Sequence, residues 1–417
     1  MAYIHVIGGK KLNGEVDIQG SKNVSLPIIA ATLLIDGVTR LDRCPKISDV
    51  LHMTNILEAI GCKTYWEDSS LIIDTSTLKT STVPAEYVKK MRSSIIMMGA
   101  LLGRTNEVTI TYPGGCLIGA RPIDFHLEAF KKMNISLEDV DGLIICKTSK
   151  VRGSEITFKF PSVGATENTI LAAVLASGKT IINNAAKEPE ITDLCLFLNK
   201  AGAKISGYGS NQIIVEGVDK LHEISHTISP DRIVTGTYLA AVAATGGNVR
   251  LKNTNCDILK GVIDLYRRIG CHIICDRDDI YICSSGKPKA ITYVKTQPYP
   301  GFPTDMQSQT MAVLMSAGGT SQISEEIFEG RYTIVNEFMK FGANIEIKDR
   351  LATIYGTPRL KGAKVHATEL RGGAALVIAG LVADGDTFVY NPGHIERGYE
   401  NICRDLRELG AETYYIN

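Results

Sequence analysis

A single cysteine lies in a glycine-rich segment whose residue types suit chemistry on an anionic substrate. Residues 112–126 contain three glycines and two prolines around Cys116, with Arg121 and Asp124 close behind. Such a composition excludes a regular helix or a central strand and predicts a loop. A thiol, a guanidinium and exposed backbone amides on one loop fit an anion-binding site. From this loop alone, a buried and inert cysteine in a surface turn is the commoner interpretation.

Charged residues recur at the predicted beginnings of helices. Lys22 and Asn23 follow Gly20-Ser21, and a cation behind glycine at a helix N-terminus favours anion binding. Asp305 follows Pro303-Thr304, where a carboxylate could also be a simple N-cap. The other charged residues of this set are Arg92 and Arg371 at helix starts, with Arg331 and Arg397 in later loops. Together they predict a site for two anionic substrates that are joined through a proton transfer.

The composition excludes several classes of protein. The 417 residues contain 45 Lys+Arg and 45 Asp+Glu, so the basic excess of a general nucleic-acid binder is missing. No apolar run reaches the length of a membrane span, and the first residues do not resemble a signal peptide. The ten cysteines are scattered without zinc spacing, and we interpret Cys271 and Cys275 as core thiols. We therefore expect a reduced, cytoplasmic protein without metal or cofactor, and no obligate protein partner is evident.

The elements that must position these residues repeat along the chain. A helix that ends in glycine, followed by an alternating strand, a polar turn and a second strand, occurs around positions 61, 202, 270, 342 and 410. A further copy has Asn134 in place of glycine, which is the replacement expected at a left-handed helix C-cap. The six cap positions are 73, 68, 68, 72 and 68 residues apart. A small-residue helix precedes each copy, so the unit is βαβαββ, repeated six times.

The repeats predict an α/β protein of two domains with three repeats each. We place the first domain at residues 22–229, including the cysteine loop. We assign residues 1–21 together with 230–417 to the second domain, because a leading strand can complete the last unit of a cyclic arrangement. The alanine- and glycine-rich helices are expected to be buried, since small side chains allow close helix packing.

Six motifs along the chain resemble one known family. They are Gly-Ser-Lys-Asn (20–23), Pro-Gly-Gly-Cys-x-Ile-Gly-Ala-Arg-Pro-x-Asp (113–124), Ser-Val-Gly-Ala-Thr-Glu-Asn (162–168), Phe-Pro-Thr-Asp-Met-Gln (302–307), Glu-Gly-Arg-Tyr (329–332) and Arg-Gly-Tyr-Glu (397–400). The sequence resembles the UDP-N-acetylglucosamine 1-carboxyvinyltransferases, the enolpyruvyl transferases that begin peptidoglycan synthesis. This resemblance implies a two-domain, inside-out α/β barrel with three βαβαββ units in each domain.

The resemblance also implies roles for the charged residues. Phosphoenolpyruvate would be held by Lys22, Arg121 and Arg397, with Asn23 nearby. The residues that would bind the UDP-sugar or complete the site are Arg92, Arg121, Pro122, Ile123, Asp124, Phe125, Ser162, Val163, Gly164, Asp305, Ile327, Arg331, Glu369 and Arg371. Asp305 would take the proton from the sugar 3-hydroxyl, and Cys116 would protonate the enol methylene. Cys116 would also be able to form a covalent adduct with phosphoenolpyruvate.

Two positions of the chain depart from the family pattern, and two alternative functions remain open from the sequence. The family often has lysine where this chain has Phe160, beside Lys159, and aspartate where it has Glu369. These differences leave open how the UDP phosphates are held and whether the chain is a main enzyme or a second paralogue. A 3-phosphoshikimate enolpyruvyl transferase shares the fold but lacks the cysteine loop. A non-catalytic, sugar-nucleotide-binding regulator is the other alternative, and the intact charged residues argue against it.

Overall fold

The structure is a computed structural model that describes residues 2–114, 118–119 and 123–417. The chain divides into two compact units. The first comprises Met1–Gln19 and Pro230–Asn417, together with the short piece that holds Ile118 and Gly119. The second comprises the remainder of residues 20–229. Each unit contains its own core of buried aliphatic and aromatic side chains.

Short strands and helices alternate along the chain. The strands are β1 (Tyr3–Ile7), β2 (Leu12–Asp17), β3 (Val38–Asp42), β4 (Lys63–Glu67), β5 (Ser70–Asp74), β6 (Glu107–Thr111), β7 (Ser136–Val140), β8 (Leu143–Lys147), β9 (Glu155–Thr157), β10 (Lys179–Asn183), β11 (Lys204–Ser206), β12 (Gln212–Glu216), β13 (Ile224–Thr227), β14 (Gly247–Lys252), β15 (His272–Asp276), β16 (Asp279–Ser284), β17 (Val294–Lys295), β18 (Thr320–Ser324), β19 (Asn344–Lys348), β20 (Leu351–Tyr355), β21 (Lys364–His366), β22 (Asp386–Tyr390) and β23 (Glu412–Ile416). The α-helices are α1 (Lys22–Ala31), α2 (Ser48–Ala59), α3 (Ala85–Val88), α4 (Met97–Thr105), α5 (Asp124–Lys132), α6 (Val163–Ala173), α7 (Pro189–Lys200), α8 (Arg232–Thr245), α9 (Lys260–Ile269), α10 (Gln307–Leu314), α11 (Val335–Met339), α12 (Leu370–Val382) and α13 (Ile402–Glu408). Short 3₁₀ helices cover Thr32–Leu34, Arg92–Ile96, Asp257–Leu259, Thr304–Met306, Glu329–Ile334 and Pro392–His394.

The sheets of the second unit share one pairing pattern. Their strand orders are β13-β3-β5-β4, β11-β12-β10-β9 and β6-β8-β7. In the two four-stranded sheets one edge strand is parallel to its neighbour and the other pairs are antiparallel. In the three-stranded sheet a single parallel bridge between Thr82 and Thr109 occupies the corresponding edge. The same local sequence pattern therefore folds into the same kind of sheet at each position.

The sheets of the first unit follow the same pattern, with strand orders β21-β22-β1-β23, β15-β16-β14-β2 and β17-β18-β20-β19. The two leading strands belong to different sheets of this unit. Strand β1 lies between β22 and β23 and is antiparallel to both. Strand β2 is the parallel edge partner of β14. The N-terminal residues thus supply strands to two sheets that are otherwise formed far along the chain.

The small-residue helices are buried, as the sequence predicts. In the first unit α8, α10 and α12 contact one another, and in the second unit α4 packs against α6 and α1 against α7. Close approach explains Gly99 in α4, because a Cβ there would lie 2.2 Å from the carbonyl oxygen of Asn168. Among the described residues, no helix combines the length and the apolar character needed to cross a membrane.

The structure confirms the helix C-caps that the repeats predict. The glycines at 61, 202, 270, 342 and 410 have φ between +83° and +112°, a left-handed conformation that favours glycine. Asn134 adopts φ +64° at the sixth cap. Asparagine tolerates this region better than other residues with a Cβ, so the repeat keeps its helix end there.

The interpretation of Cys275 as a core thiol is wrong. Its side chain is exposed and forms a disulfide with Cys256, whereas Cys271 is a buried free thiol as expected. The inward face of β15 ends at Ile273, so the alternating pattern was extended two residues too far. An exposed strand end then brings Cys275 close to the loop before the 3₁₀ helix Asp257–Leu259.

Candidate active site

Asp305 lies between two buried arginines of the first unit. It occupies the middle of the 3₁₀ helix Thr304–Met306, directly before α10. One carboxylate oxygen accepts from Arg331 Nη2, and the other accepts from Arg371 Nη2 at 3.0 Å and Nε at 3.3 Å. Both arginine side chains are at most 3% exposed, whereas 24% of the Asp305 side chain is exposed. The N-cap alternative is wrong, because this carboxylate binds guanidinium groups and the cap position belongs to Pro303.

These arginines determine the charge of Asp305. Burial disfavours the ionised form, but the positive charges of Arg371 and Arg331 outweigh it and hold the pKa of Asp305 well below its usual range. Burial likewise opposes the charge on Arg371, and Asp305 raises the pKa of Arg371 above its ordinary value. The Asp305 carboxylate is therefore ionised and a weak proton acceptor while both arginines remain bound.

Glu369 caps the helix that carries Arg371. Its carboxylate accepts from the backbone amides of Arg371, at 2.8 Å, and Gly372. It also lies 3.6 Å from Arg331 Nη1. A carboxylate at a helix N-terminus is stabilised by the helix dipole and free amides. Glu369 therefore occupies this role where the family commonly has the shorter aspartate.

Arg397 is half-buried in a turn after the 3₁₀ helix Pro392–His394. Burial and the nearby charge of Arg397 lower the pKa of His394, while Glu369 opposes this shift. The side-chain amide of Gln19 brackets the same turn, donating to Gly398 O at 3.1 Å and accepting from Glu400 N at 2.9 Å. The turn that presents Arg397 is thus held by a residue of the N-terminal segment.

Lys22 forms a buried ion pair in the second unit. It is the first residue of α1, whose N-cap Ser21 accepts from Val24 N. The Nζ of Lys22 lies 2.8 Å from Asp49 Oδ2, and the two side chains are 11% and 2% exposed. Asp49 stands at the beginning of α2, where a carboxylate also complements the helix dipole. The pair fixes the ammonium at the helix end where the sequence predicted an anion site.

Asn168 connects the elements of the second unit that were predicted to bind the nucleotide sugar. Its amide nitrogen lies 3.0 Å from Ile95 O and 2.7 Å from His126 Nδ1, and its oxygen accepts from Gly99 N at 2.7 Å. These bonds join α6 to α5 and to the 3₁₀ helix that begins at Arg92. The predicted residues on the joined elements are Arg92, Asp124 and Phe125 at two helix starts, and Ser162, Val163 and Gly164 at the start of α6.

Glu167 is a second buried carboxyl group with the opposite surroundings. It lies in α6, is 8% exposed and faces Glu190 and Glu188. Burial, together with the negative charges of Glu190 and Glu188, raises the pKa of Glu167 well above its usual value. The pKa values of Glu167 and Asp305 are therefore shifted in opposite directions.

The remaining predicted residues differ in burial, and some of them lie outside the residues that the structure describes. Cys116, Arg121 and Pro122 lie outside the described residues. Ile123 is buried before α5, and Asn23 is half-buried beside Lys22. Ile327 lies in the loop between β18 and the 3₁₀ helix Glu329–Ile334. Phe160 is 42% exposed, just before the start of α6.

The sequence does not reveal the residues that form ion pairs and hydrogen bonds with the predicted site residues and their segments. Asp49 pairs with Lys22, and Glu325 binds the segments that carry Asp305 and Ile327. Asp49 has no neighbouring motif, and Glu325 lies four residues before the motif at 329–332 and outside it. A single acidic residue in a chain with 45 of them carries little signal. Asn168 stood at the end of a quoted motif, so its position could have suggested a role.

Comparison with known proteins identifies the family. A sequence profile for EPSP synthase (3-phosphoshikimate 1-carboxyvinyltransferase) matches residues 6–406. The chain belongs to the EPSP synthase family. Within this family it is 48% identical over 416 residues to UDP-N-acetylglucosamine 1-carboxyvinyltransferase 2 of Caldanaerobacter subterraneus, covering 100% of both chains. It is 45% identical to UDP-N-acetylglucosamine 1-carboxyvinyltransferase of Finegoldia magna, covering 100% of this chain and 99% of that one. The resemblance read from the six motifs is confirmed.

Solved structures of the family share the mixed α/β fold. The enolpyruvyl transferase NikO from Streptomyces tendae superposes with a TM-score of 0.89 at 22% identity, covering 99% of this chain and 98% of that one. EPSP synthase from Acinetobacter baumannii superposes with a TM-score of 0.76 at 16% identity, covering 100% of both chains. At these identities the likeness concerns the fold.

Proposed function

We infer that the chain is a UDP-N-acetylglucosamine 1-carboxyvinyltransferase. It transfers the enolpyruvyl group of phosphoenolpyruvate to the 3-hydroxyl of UDP-N-acetylglucosamine and releases phosphate. The observation that carries this function is the 43–48% identity, over almost the whole chain, to relatives that bear this name. Its place in the cell is the cytoplasm, at the entry to peptidoglycan synthesis.

In this reaction one set of residues binds the substrate anions and another transfers protons. Lys22, Arg121 and Arg397 bind phosphoenolpyruvate. Cys116 gives a proton to the methylene carbon, and the sugar oxygen bonds to C2 as its hydroxyl proton passes to Asp305, which yields a tetrahedral ketal. Return of a methyl proton to the Cys116 thiolate and cleavage of the C2–O bond to the phosphate leave the enolpyruvyl ether and free phosphate.

Asp305 orients and polarises the sugar hydroxyl before it takes the hydroxyl proton. The two arginines keep its pKa low in the absence of substrate, so its oxygens first act as hydrogen-bond acceptors. Full proton transfer to Asp305 follows when Arg331 or Arg371 turns towards a substrate anion.

The same inference extends to the architecture. We assign the six sheets to six βαβαββ repeats that form two inside-out α/β barrels, with three repeats in each. Residues 22–229 then form the N-terminal domain with the cysteine loop, and residues 1–21 with 230–417 form the C-terminal domain. The pairing of β1 with β22 and β23 supports this assignment of the leading residues.

One assay tests the function against its closest alternative. Phosphate release is measured from phosphoenolpyruvate with UDP-N-acetylglucosamine and, separately, with 3-phosphoshikimate as acceptor. We expect release with the sugar nucleotide alone. Release with 3-phosphoshikimate instead, or with neither acceptor, would contradict the proposal.

A variant of Cys116 tests the assigned acid. Aspartate can also donate a proton but is a poorer nucleophile, so Cys116→Asp should retain turnover and resist a phosphonate epoxide that alkylates the parent. Time-dependent inactivation of both proteins gives the comparison. Equal rates of inactivation would show that Cys116 is not the alkylated group.

A further inference from the structure

Glu325 is a fully buried carboxylate surrounded by hydrogen-bond donors. It follows β18 directly and has no exposed surface. Its Oε1 accepts from the backbone amides of Ile327 at 2.9 Å and Phe328 at 3.0 Å. The same oxygen accepts from the hydroxyl groups of Thr296 at 2.9 Å and Thr304 at 3.0 Å. A buried carboxylate needs such partners, because unpaired burial of a charge is very unfavourable.

The contact with Thr304 connects Glu325 to the Asp305 site. Thr304 Oγ1 lies 3.0 Å from each oxygen of Glu325 and also accepts from Arg331 Nε at 3.2 Å. A hydroxyl group has one proton, and Arg331 Nε can only donate. The Thr304 proton must therefore point to Glu325, which leaves its lone pairs for Arg331. Glu325 thus sets the direction of the hydroxyl that receives one edge of the guanidinium bound to Asp305.

Thr296 provides an internal comparison. Its Oγ1 donates to Glu325 and accepts from Glu326 N at 2.9 Å, so it has the same kind of bond to the carboxylate. Thr296 is fully buried and Thr304 half-buried, and the acceptor bond of Thr296 serves the backbone of the turn and not Arg331. A comparison of the two threonines therefore distinguishes a role in supporting the turn from a role in orienting Arg331.

We propose that Glu325 is a positioning residue for transfer to the sugar hydroxyl: through Thr304 it holds Arg331 on Asp305, and through Ile327 N it holds the loop beside them. This rests on the proposed function, because it assigns Glu325 to the half of the reaction in which Asp305 orients the acceptor. Small displacements of a positioned group can lower a rate strongly, so the effect falls on turnover. The proposal concerns the acceptor hydroxyl and not the residues assigned to phosphoenolpyruvate, which are Lys22, Arg121 and Arg397.

Glu325→Gln weakens the relay and keeps most of the turn. The amide oxygen can take the place of Oε1 and still accept from Thr296, Ile327 and Phe328. The NH₂ group then faces Thr304 Oγ1 as a donor and competes with Arg331 for its lone pairs, while only the amide oxygen is left as an acceptor for the hydroxyl proton. Thr304→Val removes the hydroxyl itself, while Thr304→Ser retains it.

The experiment is a double-mutant cycle on turnover. The parent, Glu325→Gln, Thr304→Val, the double variant, Thr304→Ser and Thr296→Val are assayed for kcat, for KM of each substrate and for Tm. Thr304→Val should lower kcat on the order of tenfold and Glu325→Gln by less, and the double variant should lose no more than Thr304→Val alone. Thr304→Ser and Thr296→Val should stay within about twofold, and KM for phosphoenolpyruvate should be unchanged in every variant.

The outcomes distinguish the relay from general support of the fold. Equal losses of kcat in Thr296→Val and Thr304→Val, or losses that multiply in the double variant, would overturn the proposal. If Glu325→Gln does not fold, the comparison of Thr304→Val with Thr304→Ser and Thr296→Val decides alone. A parent that releases no phosphate with UDP-N-acetylglucosamine would instead reject the proposed function, and the positioning role with it.

Discussion

Asp305 and Glu167 are two carboxyl groups with little exposed surface near the beginnings of corresponding helices, and their neighbours give them opposite properties. Burial raises the pKa of Glu167 and the negative charges of Glu190 and Glu188 add to this shift, whereas at Asp305 the positive charges of Arg371 and Arg331 outweigh burial and hold the pKa low. Burial shifts the pKa of both carboxyl groups in the same direction. The sign of the nearest charges therefore makes the difference between them.

The largest effect is expected when the ionised group is removed. Asp305→Ala should lower turnover by on the order of 10² or more. It should also lower the free energy of unfolding by on the order of 3 kcal/mol, because two buried arginines lose their shared anion. The partial exposure of Asp305 keeps the loss at the lower end of that range. Initial rates and urea unfolding measure the two effects. A simple N-cap would instead predict about 1 kcal/mol and near-normal turnover.

The matched variant Asp305→Asn gives the sign of the pH dependence. A carboxyl group whose pKa is lowered on folding stabilises the protein above its unfolded pKa, which is about 3.9 for aspartate. This contribution is lost as the pH falls through the folded pKa. The difference in unfolding free energy between parent and Asp305→Asn should therefore shrink below about pH 4. A difference that grew on acidification would contradict the assigned ionised state.

An intermediate effect is expected when one of the arginines that lower the pKa of Asp305 is replaced. Arg371→Met removes one positive charge from Asp305, so the pKa of Asp305 should rise and the acid limb of the kcat profile should move to higher pH. Turnover at neutral pH should fall by on the order of tenfold. Arg371→Lys preserves the charge and serves as the control, with a smaller shift of the acid limb. Identical profiles in parent and Arg371→Met would show that Arg371 does not control Asp305.

The smallest effect is expected at Glu167. A carboxyl group whose pKa is raised on folding contributes stability below its unfolded pKa, about 4.3 for glutamate, and this contribution is lost as the pH rises through the folded pKa. The parent should therefore lose stability relative to Glu167→Gln as the pH rises above about 4.3, while turnover near neutral pH changes little. Thermal unfolding of both proteins as a function of pH measures this difference. If the difference in stability between the parent and Glu167→Gln did not change with pH, the pKa of Glu167 would not be raised, and Glu167 would not differ from Asp305 in the proposed way.

The sequence predicted the elements better than the contacts between them. Local signals, such as the glycines at 61 and 410 and Asn134, are sufficient for helix ends because the left-handed conformation selects the residue. The charged residues of the site were also named from local motifs. Their pairing was not, because the ion pair of Asp305 with Arg371 joins residues 66 positions apart. The error at Cys275 has the same origin, since alternation within a strand does not report where its buried face ends.

The place of β1 has a consequence for how the protein is made. Residues of β1 pair with β22 across a separation of up to 387 positions, as between Tyr3 and Tyr390, and with β23 on the other side. During synthesis this strand emerges long before β22 and β23, and it has no partner until they have been translated. The second unit, which lies within residues 20–229, can fold on the ribosome while β1 waits with both edges open. A nascent chain stopped before β22 therefore carries an unpaired strand, and we expect it to depend on chaperones more than the complete chain does.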